Sequence, residues 1–172
     1  NAAALPDDYV VWLSNADHVT LRNLTLTATG NTYARVVYLS GNVVNCKLTG
    51  NILNSGFFAT NASVIYSDGD VTSNILISGN TLYTGGYGIY LGGNNTVFST
   101  GTQILSNALN SQNYKGIYLG NQDAPFVSGN TVTGTGAPGF YGIQLENCDN
   151  ALQVTGNKVV IQRIQNAIHR IY

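Results

Sequence analysis

The feature that most constrains the fold is an internal repeat of roughly 26 residues, a period typical of stacked repeat architectures. Its clearest mark is a short apolar motif, Gly-Ile-Tyr-Leu at 88–91 and at 116–119 and Gly-Ile-Gln-Leu at 142–145. Looser copies extend the column of central apolar residues to Val11, Val37, Ile65, Ile89, Ile117, Ile143 and Ile168. The spacing between successive members stays within a few positions of the mean. The repeat therefore restricts the fold to a solenoid or a propeller.

An asparagine forms a second mark about half a repeat later. It usually follows an apolar residue, a hydroxyl residue and Gly, as in Leu-Thr-Gly-Asn at 48–51, and the column consists of Asn23, Asn51, Asn80, Asn107, Asn130 and Asn157. A sharp corner between two sheets needs a residue that tolerates positive φ, which Gly and Asn do best. Stacked coils also allow each amide to bond to the next. The column therefore predicts a structural asparagine ladder at an internal corner.

Each unit contains short segments with period-2 alternation, separated by turns of Gly, Asn, Ser and Thr. No stretch keeps a helical period over three turns. One such coil cannot bury its apolar face alone, whereas stacked coils share a continuous core. Leucine-rich repeats would need more Leu before the Asn, and propeller blades would need about 40 residues. The sequence predicts an all-β fold, a parallel β-helix (β-solenoid) of about six coils, each of roughly 23–29 residues.

Charge and hydropathy exclude two classes of partner. Charged residues make up 9% of the chain, and 7 Lys and Arg against 8 Asp and Glu give a net charge of −1. Nucleic acid binding needs a basic surface, so no nucleic acid partner is predicted. No apolar run reaches the length of a membrane span either. A seventh repeat begins at Ala167, so residues 1–172 are expected to be a single β-helix segment of a longer chain that continues past Tyr172.

The repeats resemble a known family. Tyr-Gly-Ile-Tyr-Leu at 87–91, Ser-Gly-Asn-Thr-Leu at 78–82, the segment 141–149 and the opening Val11-Trp12-Leu13 look like the right-handed parallel β-helix repeats of large Bacteroidota cell-surface proteins. The resemblance covers nearly the whole chain. It implies a right-handed helix and a location at the bacterial cell surface or outside the cell, after export through the outer membrane, often by the type IX system. The wider pectate-lyase-like superfamily shares the fold and includes enzymes that act on polysaccharides, so fold alone does not decide function.

Catalysis within this segment is not predicted. Polysaccharide cleavage on such a fold needs clustered carboxylates. The eight acidic residues are instead spread along the chain, and Asn-Thr-Asp, Gly-His-Gly and Arg-Ile-Lys, the motifs of polygalacturonase-like enzymes, are all absent. The two histidines, His18 and His169, lie at opposite ends of the predicted rod.

Four acidic residues fall five or six positions after the central apolar residue, namely Asp17, Asp70, Asp123 and Asp149, with Asn95 in the equivalent place. On one edge of the helix they could bind calcium or a sugar hydroxyl. Asp and Asn are also ordinary turn residues that bond to their own backbone. Both interpretations stay open, and no other metal or cofactor is predicted.

An aromatic column occupies the outward position of the apolar motif. Because successive side chains in a strand alternate, this position faces away from the core. It holds Trp12, Tyr38, Tyr66, Tyr90 and Tyr118, followed by Gln144 and His169. Strand propensity and stacking between neighbours would explain the column. A platform for sugar rings or for another protein is the alternative explanation, because an exposed apolar stripe usually marks an interaction site.

Three functions are compatible with these observations. The first is a non-catalytic extracellular rod segment of a large bacterial surface protein, acting as a stalk, an adhesin or a filament-like element. The second is the scaffold of a polysaccharide lyase or hydrolase whose active site lies outside this segment. The third is a glycan-binding module that uses the aromatic column. The expected partners are glycans, other surface proteins and the rest of the same chain.

Overall fold

A computed structural model describes residues 9–30, 33–56 and 58–162. These residues form short strands and no helix, so no helix among them could span a membrane. The strands stack in parallel into three sheets, and each coil adds strands to all three. The predicted all-β parallel solenoid is therefore confirmed.

The first sheet contains the apolar motifs. Its six longer strands are β1 (Tyr9–Ser14), β4 (Arg35–Ser40), β8 (Ser63–Ser67), β12 (Tyr87–Leu91), β16 (Lys115–Asp123) and β19 (Tyr141–Asp149). Three short strands extend it, namely β5 (Val43–Val44), β9 (Thr72–Ser73) and β13 (Ser99–Thr100). The central apolar residues are direct partners from Val11 through Val37, Ile65, Ile89 and Ile117 to Ile143. The spacing read from the sequence is therefore the coil length.

The other two sheets consist of shorter strands. The second sheet contains β2 (Thr20–Arg22), β6 (Lys47–Thr49), β10 (Leu76–Ser78), β14 (Gln103–Leu105), β17 (Phe126–Ser128) and β20 (Gln153–Thr155). The third contains β3 (Thr25–Thr27), β7 (Ile52–Asn54), β11 (Thr81–Tyr83), β15 (Ala108–Gln112), β18 (Thr131–Gly134) and β21 (Lys158–Ile161). Coil length varies here, because Lys47 pairs with Leu76 whereas Gln103 pairs with Phe126 after a distinctly shorter stretch of chain.

The core consists of aliphatic columns that run along the helix axis, one from each sheet. Ile65, Ile77 and Leu82 represent the three columns in one coil, and all three are fully buried. Each fully buried side chain of this size contributes about 1.5 to 3 kcal/mol relative to an exposed one. Because every coil repeats the pattern, burial depends on the coils above and below, as the sequence predicted.

A ladder of asparagine amides crosses the coils inside the corner between the second and third sheets. The Nδ2 atom of each donates to the Oδ1 atom of the next, at 2.8–3.0 Å, through Asn51, Asn80, Asn107, Asn130 and Asn157. The same Oδ1 atoms also accept from the preceding backbone N–H groups at 2.9 Å. The first four side chains are at most 2% exposed. These amides are thus bonded inside the protein, where water cannot replace a lost partner.

Two details of the predicted ladder were wrong. Asn23 is not a rung: strand register aligns it with Gly50, and Leu24 occupies the rung position and donates its N–H to Asn51 Oδ1 at 3.0 Å. The positive φ of the corner is carried by the residue before each rung, Asn23 (56°) and Gly50 (64°) in the first two coils, not by the rungs themselves. The residue before each rung therefore forms the turn, and the rung itself forms the hydrogen bonds of the ladder. The repeat that begins at Ala167, with Ile168 and His169, lies outside the described residues.

Candidate functional site

The candidate site is the outer face of the first sheet. Five aromatic residues lie there in direct register on neighbouring strands, and we call them the aromatic column: Trp12, Tyr38, Tyr66, Tyr90 and Tyr118. Gln144 follows on β19. Trp12 is 51% exposed, whereas the four tyrosines are partly buried. The row of rings is therefore continuous but only partly open to solvent.

The tyrosine rings of the column face one another. The centroids of Tyr66 and Tyr90 are 5.1 Å apart with planes 14° from parallel, and those of Tyr90 and Tyr118 are 4.7 Å apart with planes at 18°. Rings lying side by side in one plane cannot approach so closely, so these rings overlap face to face. The stack therefore presents ring edges and hydroxyl groups to solvent. A ligand at its centre would meet hydroxyl groups rather than a flat aromatic surface.

A second column flanks the first, three residues earlier on each strand, and consists of Tyr9, Arg35, Ser63, Tyr87, Lys115 and Tyr141. Strict alternation would turn this position toward the core. In β8, however, Val64 and Ile65 are both fully buried. Two successive inward residues bend the strand and leave both Ser63 and Tyr66 on the outer face. Unbroken alternation, on which the predicted outward positions depend, would place this column inside the core.

Two buried cations pack against the tyrosine rings. Arg35 is 8% exposed, and its Cζ atom lies 3.8 Å from the Tyr66 centroid and 5.1 Å from that of Tyr38. Lys115 is also 8% exposed, with Nζ 4.6 Å from the Tyr118 centroid and 5.0 Å from that of Tyr114. Ring faces attract cations at such distances. Burial lowers the pKa of Lys115, an effect that the nearby Glu146 carboxylate opposes. The face thus holds positive charge beneath an aromatic surface.

Carboxylates lie on the opposite side of the aromatic column. Asp68 accepts hydrogen bonds from the hydroxyl groups of Tyr66 and Tyr90, both at 3.3 Å, and Glu146 accepts one from Tyr118 at 2.8 Å. Burial, followed by the Asp68 charge, raises the pKa of the Tyr66 phenol to about 12. The same two causes raise the pKa of Tyr90 well above its usual value. These phenols remain protonated at neutral pH and donate hydrogen bonds to the carboxylates.

Two open concavities lie on either side of the column and share Tyr90. The Ser63 cleft, of about 460 Å³, has Ser63 at its base, Arg35 on one side and Tyr87 and Tyr114 on the other. The Asp68 groove, of about 410 Å³, is lined by Asp68, Gly92, Asn95 and Tyr118 among others. Both volumes fall in the range of small-ligand pockets. Among the described lining residues, the cleft has a cation and no carboxylate, and the groove has a carboxylate and no cation.

Glycine makes the Asp68 groove possible. At the position of Asp68 the next two strands have Gly92 and Gly120, and the Tyr90 ring leans over Gly92. A Cβ atom on Gly92 would lie 3.2 Å from the Tyr90 hydroxyl and closer still to the Asp68 carboxylate. A larger residue would therefore displace the Tyr90 ring and fill the space between Asp68 and Glu146.

The predicted aspartate column is only partly formed. Asp123 and Asp149 are direct partners, but Asp123 continues to Thr100 and then to Ser73, not to Asp70. The prediction for Asp70 and Asn95 was wrong because it counted a fixed number of residues from the apolar motif, whereas the loops differ in length. Asp17 reaches the same column through Val44, four coils from Asp123.

Polar contacts to other side chains engage two of the four aspartates. Asp17 contacts His18 Nδ1 at 2.6 Å and accepts from Asn45 at 3.1 Å, and Asp123 accepts from Asn150. Across the described ranges no three His, Cys, Asp or Glu side chains are grouped closely enough to hold a metal ion. Calcium binding at this edge stays a prediction.

Comparison with known families identifies the fold class. The family described as "Right handed beta helix region" matches residues 9–169. The chain belongs to this family. The searches of curated proteins and of solved structures found no match. Family membership gives the right-handed winding of the β-helix.

Proposed function

We propose that this chain is a non-catalytic rod segment of a large bacterial surface protein, acting as a stalk, an adhesin or a filament-like element. The observation that supports this most is the unbroken register of the coils from Val11 to Ile143, locked inside by the asparagine ladder. Six coils at about 4.8 Å each make a rod roughly 30 Å long. Such an element is suited to hold other parts of a protein at a distance from the cell.

The proposed location is extracellular or at the cell surface, outside the outer membrane. Support comes from the resemblance to Bacteroidota surface repeats, with type IX export as the proposed route, and from a surface made of Asn, Thr, Ser, Gly and Tyr rather than charged residues. The neutral balance of charges also suits a rod that packs beside copies or neighbours without repulsion.

Detection of enzymatic activity would contradict the proposed non-catalytic rod function. Purified protein should release neither reducing ends nor unsaturated products from polygalacturonate, alginate or pectin, with or without calcium. Asp68 and Glu146 are the carboxylates beside the concavities, so they are the ones to change if turnover is seen. Turnover that Asp68→Asn or Glu146→Gln abolishes would establish an enzyme in place of the rod.

Glycan binding is the second candidate function, and one observation favours it. The Ser63 cleft and the Asp68 groove lie on either side of the column and share Tyr90, so a chain of sugar residues could cross the edge of the stack and enter both. Hydroxyl groups of Tyr66, Tyr90 and Tyr118 border this path. Carbohydrates are recognised by apolar walls combined with a few fixed polar groups, which both concavities offer.

A glycan array with paired variants tests this candidate. Tyr90→Ala should abolish retention of bound glycans, because Tyr90 borders both concavities. Tyr83→Ala is the matched control, since Tyr83 is 42% exposed on β11 of the third sheet. Light scattering on both variants would show whether Tyr90 serves assembly instead. If Tyr90→Ala lowered the oligomer mass and left glycan retention unchanged, the aromatic column would be a protein-binding surface and not a glycan-binding one.

A further inference from the structure

Ser63 has an unusual environment. It is 1% exposed, its Oγ atom has no hydrogen-bond partner among the described residues, and it forms the base of the Ser63 cleft. A buried hydroxyl without a hydrogen-bond partner destabilises the folded protein. Its neighbours on the adjacent strands, Arg35 and Tyr87, have long side chains that rise on either side of it. The cleft thus ends on a polar atom that a ligand could satisfy.

The described lining of the cleft includes one cation, while the Asp68 carboxylate, outside that lining, bonds to the hydroxyl groups of Tyr66 and Tyr90. That cation is Arg35, and it is buried against the Tyr66 ring. A second buried cation, Lys115, lies behind the opposite wall, with Nζ 5.0 Å from the Tyr114 centroid and 5.6 Å from that of Tyr87. Charges in a partly desolvated site attract opposite charges more strongly than they do in water. The cleft therefore favours an anionic group.

The tyrosines of the cleft also have a defined hydrogen-bonding direction. Tyr66 and Tyr90 donate hydrogen bonds from their hydroxyl groups to Asp68, so the same oxygen atoms can only accept hydrogen bonds from a ligand. Hydroxyl groups on a ligand would supply those protons. Thr60 and Asn61, both exposed, add polar groups at the rim. A ligand that fits must therefore carry an anionic group and several hydroxyl groups.

We propose that the Ser63 cleft is a subsite for one sugar residue that carries a sulfate or carboxylate group. The anionic group lies toward Arg35, and a ring hydroxyl bonds to Ser63 Oγ. The neighbouring sugar residue crosses Tyr90 toward the Asp68 groove. There the Asp68 carboxylate repels a second acidic sugar and accepts hydrogen bonds from the hydroxyl groups of a neutral sugar. This inference rests on the glycan-binding function proposed above and adds the chemical class of the ligand.

Isothermal titration with three oligosaccharides of matched length tests it: one sulfated, one containing uronate and one neutral. The wild-type protein should bind an acidic oligosaccharide at least tenfold more tightly than the neutral one, with an affinity that falls as salt is raised. Comparison of the sulfated and uronate ligands identifies which anionic group the cleft takes. Equal affinity for the acidic and neutral ligands would overturn the anionic assignment.

Ser63→Ala provides the second measurement. It should weaken binding of the acidic ligand by about tenfold, the effect of one lost hydrogen bond to a ligand. It should leave the melting temperature unchanged or raise it, because the described structure gives the hydroxyl no partner in the free protein. Ser67→Ala is the matched control. Ser67 lies on the same strand, is 1% exposed, and its Oγ atom has no hydrogen-bond partner among the described residues. It differs in position, because its strand neighbour is Leu91 of the core. Ser67→Ala should not change the affinity.

The measurements distinguish failure of the proposed subsite from failure of the glycan-binding function. Wild-type affinity in Ser63→Ala, together with loss of binding in Tyr90→Ala, would overturn the subsite and keep glycan binding. An equal loss of affinity in Ser63→Ala and Ser67→Ala would also overturn the subsite, because only Ser63 of the two lines the cleft. Absence of binding of all three oligosaccharides to the wild-type protein, with no glycan retained on the array, would remove the glycan-binding function itself.

Discussion

Replacing one rung of the asparagine ladder is the sharpest test of what holds the coils together. Asn107 Oδ1 accepts from Asn80 N and Asn80 Nδ2 at 2.9 and 3.0 Å, and Asn107 Nδ2 donates to Ile77 O and Asn130 Oδ1, both at 2.9 Å. Asn107→Leu removes all four bonds and leaves two donors of Asn80 without acceptors. At about 1 to 3 kcal/mol for each stranded group, the cost is about 2 to 6 kcal/mol.

This cost does not arise from backbone strain. The positive φ of the corner, 53°, belongs to Ser106 and not to Asn107, so a leucine fits the backbone at this position. Asn107 is 2% exposed and Asn80 is 1% exposed, so water does not replace the missing partners. The loss of stability therefore measures the hydrogen bonds of the ladder.

Thermal unfolding followed by circular dichroism measures the effect. For a chain of this length, 1 kcal/mol corresponds to about 2 to 4 °C, so the midpoint should fall by at least about 4 °C. Asn110→Leu is the control, because Asn110 lies on the same coil, is partly exposed and makes no side-chain hydrogen bond within the described ranges. Equal midpoints for Asn107→Leu and Asn110→Leu would show that the ladder contributes no stability.

Two further predictions concern the first sheet. Gly88→Ala would place a Cβ atom 2.5 Å from Leu109 Cδ2 and 2.7 Å from the backbone oxygen of Gly116, so it should destabilise the protein by about 1 to 3 kcal/mol; an unchanged denaturation midpoint would contradict this packing. Burial raises the pKa of Tyr66 and of Tyr87 to about 12 from 10.0, so the folded state holds these protons more tightly than the unfolded state. Stability should therefore fall as pH rises from 10 toward 12, with tyrosinate absorbance appearing late, whereas a single titration of all tyrosines near pH 10 would show that the rings are not buried.

The sequence was sufficient for the architecture because the constraints on a solenoid recur at every coil. Ile65, Ile89 and Ile117 occupy one environment three times, so their spacing reveals the coil length without knowledge of the loops. The same is true of Asn80, Asn107 and Asn130, whose side chains each need the next one. Repetition turns a weak local signal into a strong one, since an error in one copy is corrected by its neighbours.

The site was less predictable because it depends on departures from the repeat. Loops of different length moved Asp70 out of the column that contains Asp123. Bends at Val36 and at Val64 turned Arg35 and Ser63 outward, where strict alternation would have buried them in the core. A signal for the second column was present: cations occur three residues before Tyr38 and before Tyr118. A charged residue next to the core of a strand indicates that the strand bends or that the charge has a partner.

A regular solenoid has a smooth surface, so a cleft requires an interruption of a column. The second column has long side chains at Arg35, Tyr87 and Lys115 and a short one at Ser63, and the cleft lies at that gap. Ser63→Tyr would restore the long side chain there, beside Tyr87, its partner on the next strand. The fold should survive, with a melting temperature equal to or above that of the wild type, because the new ring stacks on a neighbour and removes an unpartnered hydroxyl. The acidic oligosaccharide should no longer bind, since its volume is occupied, whereas a ligand held by the Asp68 groove alone should still bind. Wild-type affinity for the acidic ligand in Ser63→Tyr would show that the gap in the column has no role in binding.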